Sequence, residues 1–140
     1  ELMAEGGKAI WIAPSGGRDR PSAANDGKVV PAAFDPKNIE MFRLLGAQAA
    51  KAAKGRKTHY YPLAMYTYPI TPPPDKIGGD VGEARILRRK GVGIAVGEEV
   101  DMALADDLPK AVRRDKVTEA IYDAVFESYK ELVANIEGEF

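Results

Sequence analysis

Two arginines, Arg18 and Arg20, follow Ser15-Gly16-Gly17 at the end of the apolar run Ala9-Ile10-Trp11-Ile12-Ala13-Pro14. Arginine carries a planar fork of N–H donors and stays charged at any working pH, so it grips phosphate oxygens two at a time. Lysine would supply only a point charge. Glycines such as Gly16 and Gly17 can adopt positive φ and let backbone N–H groups approach a ligand closely. Asp19, between the arginines, is placed to hold one of them or to cap a following turn. Residue types and spacing therefore point to an anion site, most simply for a phosphate. A surface loop with ordinary charges is the alternative.

Other residues with chemical capacity are few. His59 is the single histidine and the chain has no cysteine, so it builds neither a multi-histidine metal site nor a thiolate site or disulfide framework. A catalytic histidine needs an orienting carboxylate, and the sequence signals none nearby; a partly exposed strand-end residue is the favoured reading of His59. Tyr60, Tyr61, Tyr66 and Tyr68 straddle both faces of an expected strand, as an acyl-chain channel or as core with hydroxyls at its rim. Two cationic clusters, Lys51-Lys54-Arg56-Lys57 and Arg85-Arg88-Arg89-Lys90, read either as steering surfaces for an acidic partner or as solvated faces.

These groups must be positioned by elements of a chain of 140 residues, the size of one domain. With 45% hydrophobic and 29% charged residues, the composition is that of an ordinary globular protein. A formal net charge of −1 gives no reason to expect nucleic acid as a partner. No apolar run approaches the roughly 18 residues needed to cross a bilayer, and no signal-peptide pattern opens the chain. The chain begins at Glu1 rather than Met, with an apolar run within ten residues, which reads as a piece of something longer.

Taken in order, residues 1–8 read as a helix tail stopped by Gly6-Gly7, and residues 9–14 as a first strand. Residues 21–34, rich in Pro, Ala, Asn, Asp and Gly, form a loop long enough to be functional or mobile. Asp35-Pro36 starts a helix whose apolar face is Ile39, Phe42, Gly46, Ala49 and Ala53. A second strand runs from Thr58 to Tyr68, which makes a βαβ unit, and Pro62 within it requires an edge, a bulge or a strand start. Pro72 to Pro74 end regular structure. Gly82–Leu87 and Gly91–Gly97 read as a hairpin-like pair. A short helix follows from Asp106 or Asp107, and a last helix carries Val117, Ile121, Ala124, Val125, Ser128, Leu132 and Ile136 on one face. The fold class is α/β.

Three blocks carry a resemblance to a known family. Ile10-Trp11-Ile12-Ala13-Pro14-Ser15-Gly16-Gly17-Arg18-Asp19-Arg20-Pro21 resembles the phosphate-binding block of the plastid-type, soluble glycerol-3-phosphate acyltransferases. Tyr61-Pro62-Leu63-Ala64-Met65 with Pro72-Pro73-Pro74 is similar to that family's Pro-Leu-Ala strand and proline run. Gly91-Val92-Gly93-Ile94-Ala95-Val96-Gly97-Glu98-Glu99 resembles its next glycine-rich strand. Order and spacing agree over about residues 8–135.

The resemblance implies part of a mixed β-sheet flanked by helices, and transfer of a fatty acyl group to the 1-hydroxyl of glycerol 3-phosphate. The donor would be acyl carrier protein or acyl-CoA, with no cofactor or metal, and the compartment the plastid stroma. It implies phosphate binding by Arg18 and Arg20, presented by Ser15, Gly16 and Gly17, and an acyl pocket touching Pro62, Leu63 and Met65. The sequence also departs from the family. The family's catalytic base is a His followed five residues later by Asp, whereas Ala64 stands five residues after His59. The chain thus reads as the C-terminal portion of the α/β acyltransferase domain, residues 1–140, without the base and not expected to be active alone. The rival reading is a non-catalytic module that binds a phosphate ligand or acyl carrier protein.

Overall fold

The computed structural model describes residues 2–17, 19–21, 23–53, 57–72 and 86–137. The chain forms two compact units. The first comprises Glu1–Arg18, Ala32–Pro62 and Glu98–Ala124, and the second Asp19–Pro31, Leu63–Gly97 and Val125–Phe140.

In the first unit, a one-turn helix α1 (Leu2–Glu5) stops at Gly6 and Gly7, whose φ values of +73° and +64° suit glycine beyond a helix end. Helix α2 (Pro36–Ala52) starts as its sequence dictates. Asp35 is the N-cap, its Oδ1 accepts the Lys37 N–H at 2.8 Å, and Pro36 takes the first turn, where its missing donor costs nothing. Ile39, Gly46 and Ala49 are buried, and Phe42 and Ala53 half-buried, so the expected apolar face is the packed one.

Gly46 has a steric role. The Tyr60 hydroxyl, which donates to the Phe42 carbonyl at 3.0 Å, occupies the space a Cβ at Gly46 would need. Ile39, Met102 and Val117 make the core of this unit, with Phe34, Tyr60 and Ile121 packed on it. Phe34 meets Tyr122 edge to face at 5.4 Å.

The last helix, α3 (Lys110–Glu137), gives its first half to this unit and its second to the other. Arg113 lies in its first turn, where the helix dipole disfavours a cation. Glu40 at 3.6 Å and Asp106 at 3.8 Å offset that cost, and Arg43 joins the same network through a 2.8 Å bond to Glu40.

The second unit holds a two-stranded antiparallel sheet of β1 (Leu63–Tyr66) and β2 (Gly93–Val96). The register pairs Leu63 with Val96, Ala64 with Ala95, Met65 with Ile94 and Tyr66 with Gly93. Ala64, Tyr66 and Gly93 are buried with Val125, Tyr129 and Val133, which recur every fourth residue along α3. Tyr66 and Tyr129 meet edge to face at 5.8 Å, and the Tyr66 hydroxyl donates to Glu137. A Cβ at Gly93 would lie 2.6 Å from a Leu132 methyl, so the strand approaches the helix as closely as its backbone permits.

The chain is thus an α/β mix, with several departures from the sequence expectations. Residues 9–14 are not a strand. A strand exists only where a neighbour completes its ladder, and no described residue pairs with them; Trp11 is 69% exposed. The βαβ unit therefore does not form, and the sheet among the described residues is antiparallel.

The second strand is confined to Leu63–Tyr66, with Pro62 just before its start, one of the positions proline allows. Gly93–Val96 pairs with β1. Residues 82–85 lie outside the described residues, as do Pro73 and Pro74, while Ile86 and Leu87 are exposed and not in a strand. The segment from Asp106 is a chain of turns instead of a helix. Ala105 has φ +66°, and a residue preceding Pro109 is steered away from the helical region, so α3 begins only after that proline.

Candidate functional site

The turn that carries Ser15 and Gly16 is built by its own sequence. The Gly16 N–H donates to the Ala13 carbonyl at 3.0 Å, closing a four-residue turn with Pro14 at its second position. Gly16 has φ +69°, a conformation L side chains rarely adopt, while Gly17 does not use that region. Nothing lies within 4 Å of where a Cβ would stand on either glycine, so the backbone is open on that side.

The Pro14 carbonyl accepts from the Asp35 N–H at 3.2 Å and from Asn38 Nδ2 at 3.1 Å. The glycine turn is therefore fastened to the start of α2, where the backbone dipoles favour an anion. Asp35 and Asn38 hold the glycine turn in a way the sequence does not announce: Asp35 reads there as a cap alone, and no local signal joins Asn38 to a carbonyl 24 residues earlier.

Arg18 lies outside the described residues. Arg20 is half-buried and belongs to the second unit, where a hairpin holds its segment. Pro21 and Val29 form an antiparallel bridge, and Ala23–Asn25 make one 3₁₀ turn between them. Asp26 and Gly27 both have positive φ, 52° and 75°, and the Lys28 N–H donates to the Asn25 carbonyl at 2.8 Å, as a type I′ turn requires. The Tyr129 hydroxyl donates to the Val29 carbonyl at 2.7 Å and pins the hairpin to α3. Residues 23–29 of the expected loop thus make a hairpin turn, whose signal, the Asp26-Gly27 dipeptide, stands in the sequence.

Of the expected acyl-pocket residues, Pro62 is buried in the first unit. Leu63 and Met65 lie in the second, on the same outer face of β1 two residues apart. Tyr60 and Tyr66 are structural: burial raises both hydroxyl pKa values, and each hydroxyl has a fixed acceptor. Tyr61 and Tyr68 are exposed.

His59 does have a carboxylate. Its Nδ1 lies 3.0 Å from Glu99 Oε1, the oxygen that also meets Lys57 Nζ at 3.1 Å. The hydrogen bond to His59, then that to Lys57, lowers the Glu99 pKa. The contact spans 40 residues and depends on the Val100 N–H donating to the Tyr60 carbonyl, which aligns the two segments. No local pattern could announce it.

Among the cations, Lys57 is thus ion-paired, and Lys51, Arg88, Arg89 and Lys90 are exposed; Lys54, Arg56 and Arg85 lie outside the described residues. Among the described residues no group of three or more His, Cys, Asp or Glu is placed to hold a metal ion, and no helix is long and apolar enough to cross a membrane.

Comparison with known proteins locates the likeness. No family model matches the chain. The chloroplastic glycerol-3-phosphate acyltransferase of Pisum sativum is 40% identical over 98% of this chain, and that of Spinacia oleracea 38% identical over 98%. The Arabidopsis thaliana protein of the same name is 33% identical over 97%. The chain spans only 29%, 28% and 29% of those three proteins. Over nearly its whole length, then, this chain resembles one segment of the chloroplastic glycerol-3-phosphate acyltransferases.

Proposed function

We propose, from that likeness, that the chain is the C-terminal portion of a glycerol-3-phosphate acyltransferase domain and supplies its phosphate grip. Arg18 and Arg20 bind the substrate phosphate, and Ser15, Gly16 and Gly17 form the turn that presents them. The observation that carries this reading is the open glycine turn, with Gly16 at φ +69°, anchored to the N-terminus of α2 directly before the Arg-Asp-Arg run. Two guanidinium forks match a dianionic phosphate in charge and geometry.

In the proposed reaction the 1-hydroxyl of glycerol 3-phosphate attacks the thioester carbonyl of an acyl donor. The hydroxyl loses its proton, an ester forms, and a thiol leaves. The residues of this chain bind and orient the acceptor through its phosphate, and so hold the hydroxyl within reach of the carbonyl. The arginines, charged throughout the working range, take no proton in this scheme. The base lies, in this reading, in the part of the relatives' length that the chain does not span. The acyl carrier protein or coenzyme A thioester is the proposed donor, and the plastid the proposed compartment, following the relatives' chloroplastic names.

The test is acyl transfer from a palmitoyl thioester to radiolabelled glycerol 3-phosphate by the longest polypeptide that carries this chain. Transfer by that polypeptide, and none by residues 1–140 alone, is expected. Full activity of residues 1–140 alone would overturn the division of labour. A longer polypeptide that binds glycerol 3-phosphate without transferring acyl groups would favour the binding-module reading.

A further inference from the structure

The chain that carries Arg20 runs directly into a hairpin of the second unit. Pro21 bridges Val29 in antiparallel sense, and the Asp26-Gly27 turn, with φ values of 52° and 75°, brings the two arms together. Proline has no N–H, so Pro21 offers the Val29 carbonyl no donor across the bridge. The Tyr129 hydroxyl supplies one from α3, at 2.7 Å.

Tyr129 is 4% exposed and stands between Val125 and Val133 on the buried face of α3. Phenylalanine would fill the same space without burying a polar group, and a buried hydroxyl costs free energy unless it finds a partner. It finds that partner on the hairpin. The ring is held in turn by Tyr66, edge to face at 5.8 Å, whose own hydroxyl donates to Glu137. Burial, and then the charge of Asp19, raises the Tyr129 pKa to about 12, so the residue directly before Arg20 lies near the same hydroxyl. One helix side chain thus meets both ends of the hairpin, Asp19 through its charge and Val29 through a hydrogen bond.

We infer that Tyr129 is a positioning residue for the phosphate site: its hydroxyl, through the Val29 carbonyl, holds in place the hairpin arm from which Arg20 reaches the substrate. This rests on the phosphate-grip reading above. A guanidinium fork meets phosphate oxygens two at a time only from a fixed backbone, and a backbone that had to be ordered on binding would subtract from affinity.

The experiment measures KM for glycerol 3-phosphate and for a palmitoyl thioester, together with melting temperatures, in the longest polypeptide that carries this chain. Tyr129→Phe keeps the ring and removes the bond. It should raise the KM for glycerol 3-phosphate about three- to tenfold, the factor that one intramolecular hydrogen bond supplies, and leave kcat and the donor KM in place. Tyr66→Phe removes a hydroxyl from an equally buried ring, but one directed to Glu137. It should lower the melting temperature and move neither KM.

An unchanged KM for glycerol 3-phosphate in Tyr129→Phe would overturn the inference. So would an equal rise in Tyr66→Phe or in the donor KM, since either would reduce Tyr129 to general support of the unit. If Tyr129→Phe does not fold, hydrogen exchange of the unsubstituted polypeptide decides: saturating glycerol 3-phosphate should slow exchange at residues 23–30, and unchanged rates there overturn the inference. The parent reading fails separately, and takes this inference with it, if Arg18→Ala with Arg20→Ala leaves the KM for glycerol 3-phosphate unaltered. A raised KM in that variant beside an unchanged one in Tyr129→Phe overturns the inference alone.

Discussion

Two tyrosine hydroxyls tie the second unit together. Burial pushes the Tyr129 pKa up to about 12, with Asp19 and Glu137 adding charge repulsion, and burial followed by the Glu137 bond raises that of Tyr66. Both groups hold their protons more tightly folded than unfolded. Their contribution is therefore intact below pH 10, the ordinary tyrosine value, and is lost as pH rises through the folded value. Ultraviolet titration of the six tyrosines should show Tyr66 and Tyr129 ionising late and together with loss of folded structure. Ionisation of all six near pH 10 would contradict this.

Gly46 gives a second residue-scale prediction. Alanine there should cost about 1–3 kcal/mol, the usual range for overpacking a well-filled site, because the Tyr60 hydroxyl holds the space. Adding Tyr60→Phe should recover part of the loss, and denaturant midpoints of the single and double variants measure the coupling. The residue types of the Arg18–Arg20 run were legible in the sequence, because arginine beside glycine has a distinctive chemistry. The His59–Glu99 pair was not, since it exists only once two segments 40 residues apart are aligned by a backbone bond.

At the scale of elements, α2, α3 and the two segments that became β1 and β2 were legible, whereas the partners of the strands were not. A helix closes its own hydrogen bonds, so caps and the 3.6-residue period announce α2 and the body of α3 from local sequence. Asp35→Ala should cost about 1 kcal/mol through loss of the cap, and should also loosen the glycine turn whose Pro14 carbonyl binds that segment. Thermal denaturation measures the first effect, and proteolysis around residues 14–17 the second; an unchanged melting temperature would contradict the cap assignment.

Strands take their partners from elsewhere in the chain. The apolar run at residues 9–14 has the composition of a core strand and yet no strand partner among the described residues, whereas β1 and β2 found each other across 26 intervening residues. The Asp26-Gly27 turn is the exception that a local signal would have caught, because its positive φ values follow from residue type.

At the scale of the whole molecule, each unit has a core of its own. Ile39, Met102 and Val117 fill one; Ala64, Tyr66, Val125, Tyr129 and Val133 are buried in the other. Large apolar side chains remain on the surface of both, Trp11 and Ile10 in the first and Ile94 and Val96 in the second. The relatives are more than three times as long as the stretch this chain matches. We propose that Ile10 and Trp11 are covered by the remainder of such a polypeptide. Hydrogen exchange at residues 9–13 should accordingly be fast in residues 1–140 alone and slow in the longer polypeptide, and equal rates would contradict that proposal.

The central claim is that Arg18 and Arg20 bind substrate phosphate and move no proton. Its most direct test is the pH dependence of kcat, alongside the KM for glycerol 3-phosphate, for Arg18→Ala with Arg20→Ala in the longest polypeptide that carries this chain. Loss of two charge-assisted phosphate contacts, each worth about 1.5–3 kcal/mol, should raise KM by about a hundredfold or more, leave the donor KM in place, and leave the pH profile of kcat unchanged in shape. An unaltered KM for glycerol 3-phosphate would contradict the phosphate grip, and a shifted pH profile would contradict the claim that the arginines stand outside the acid–base chemistry.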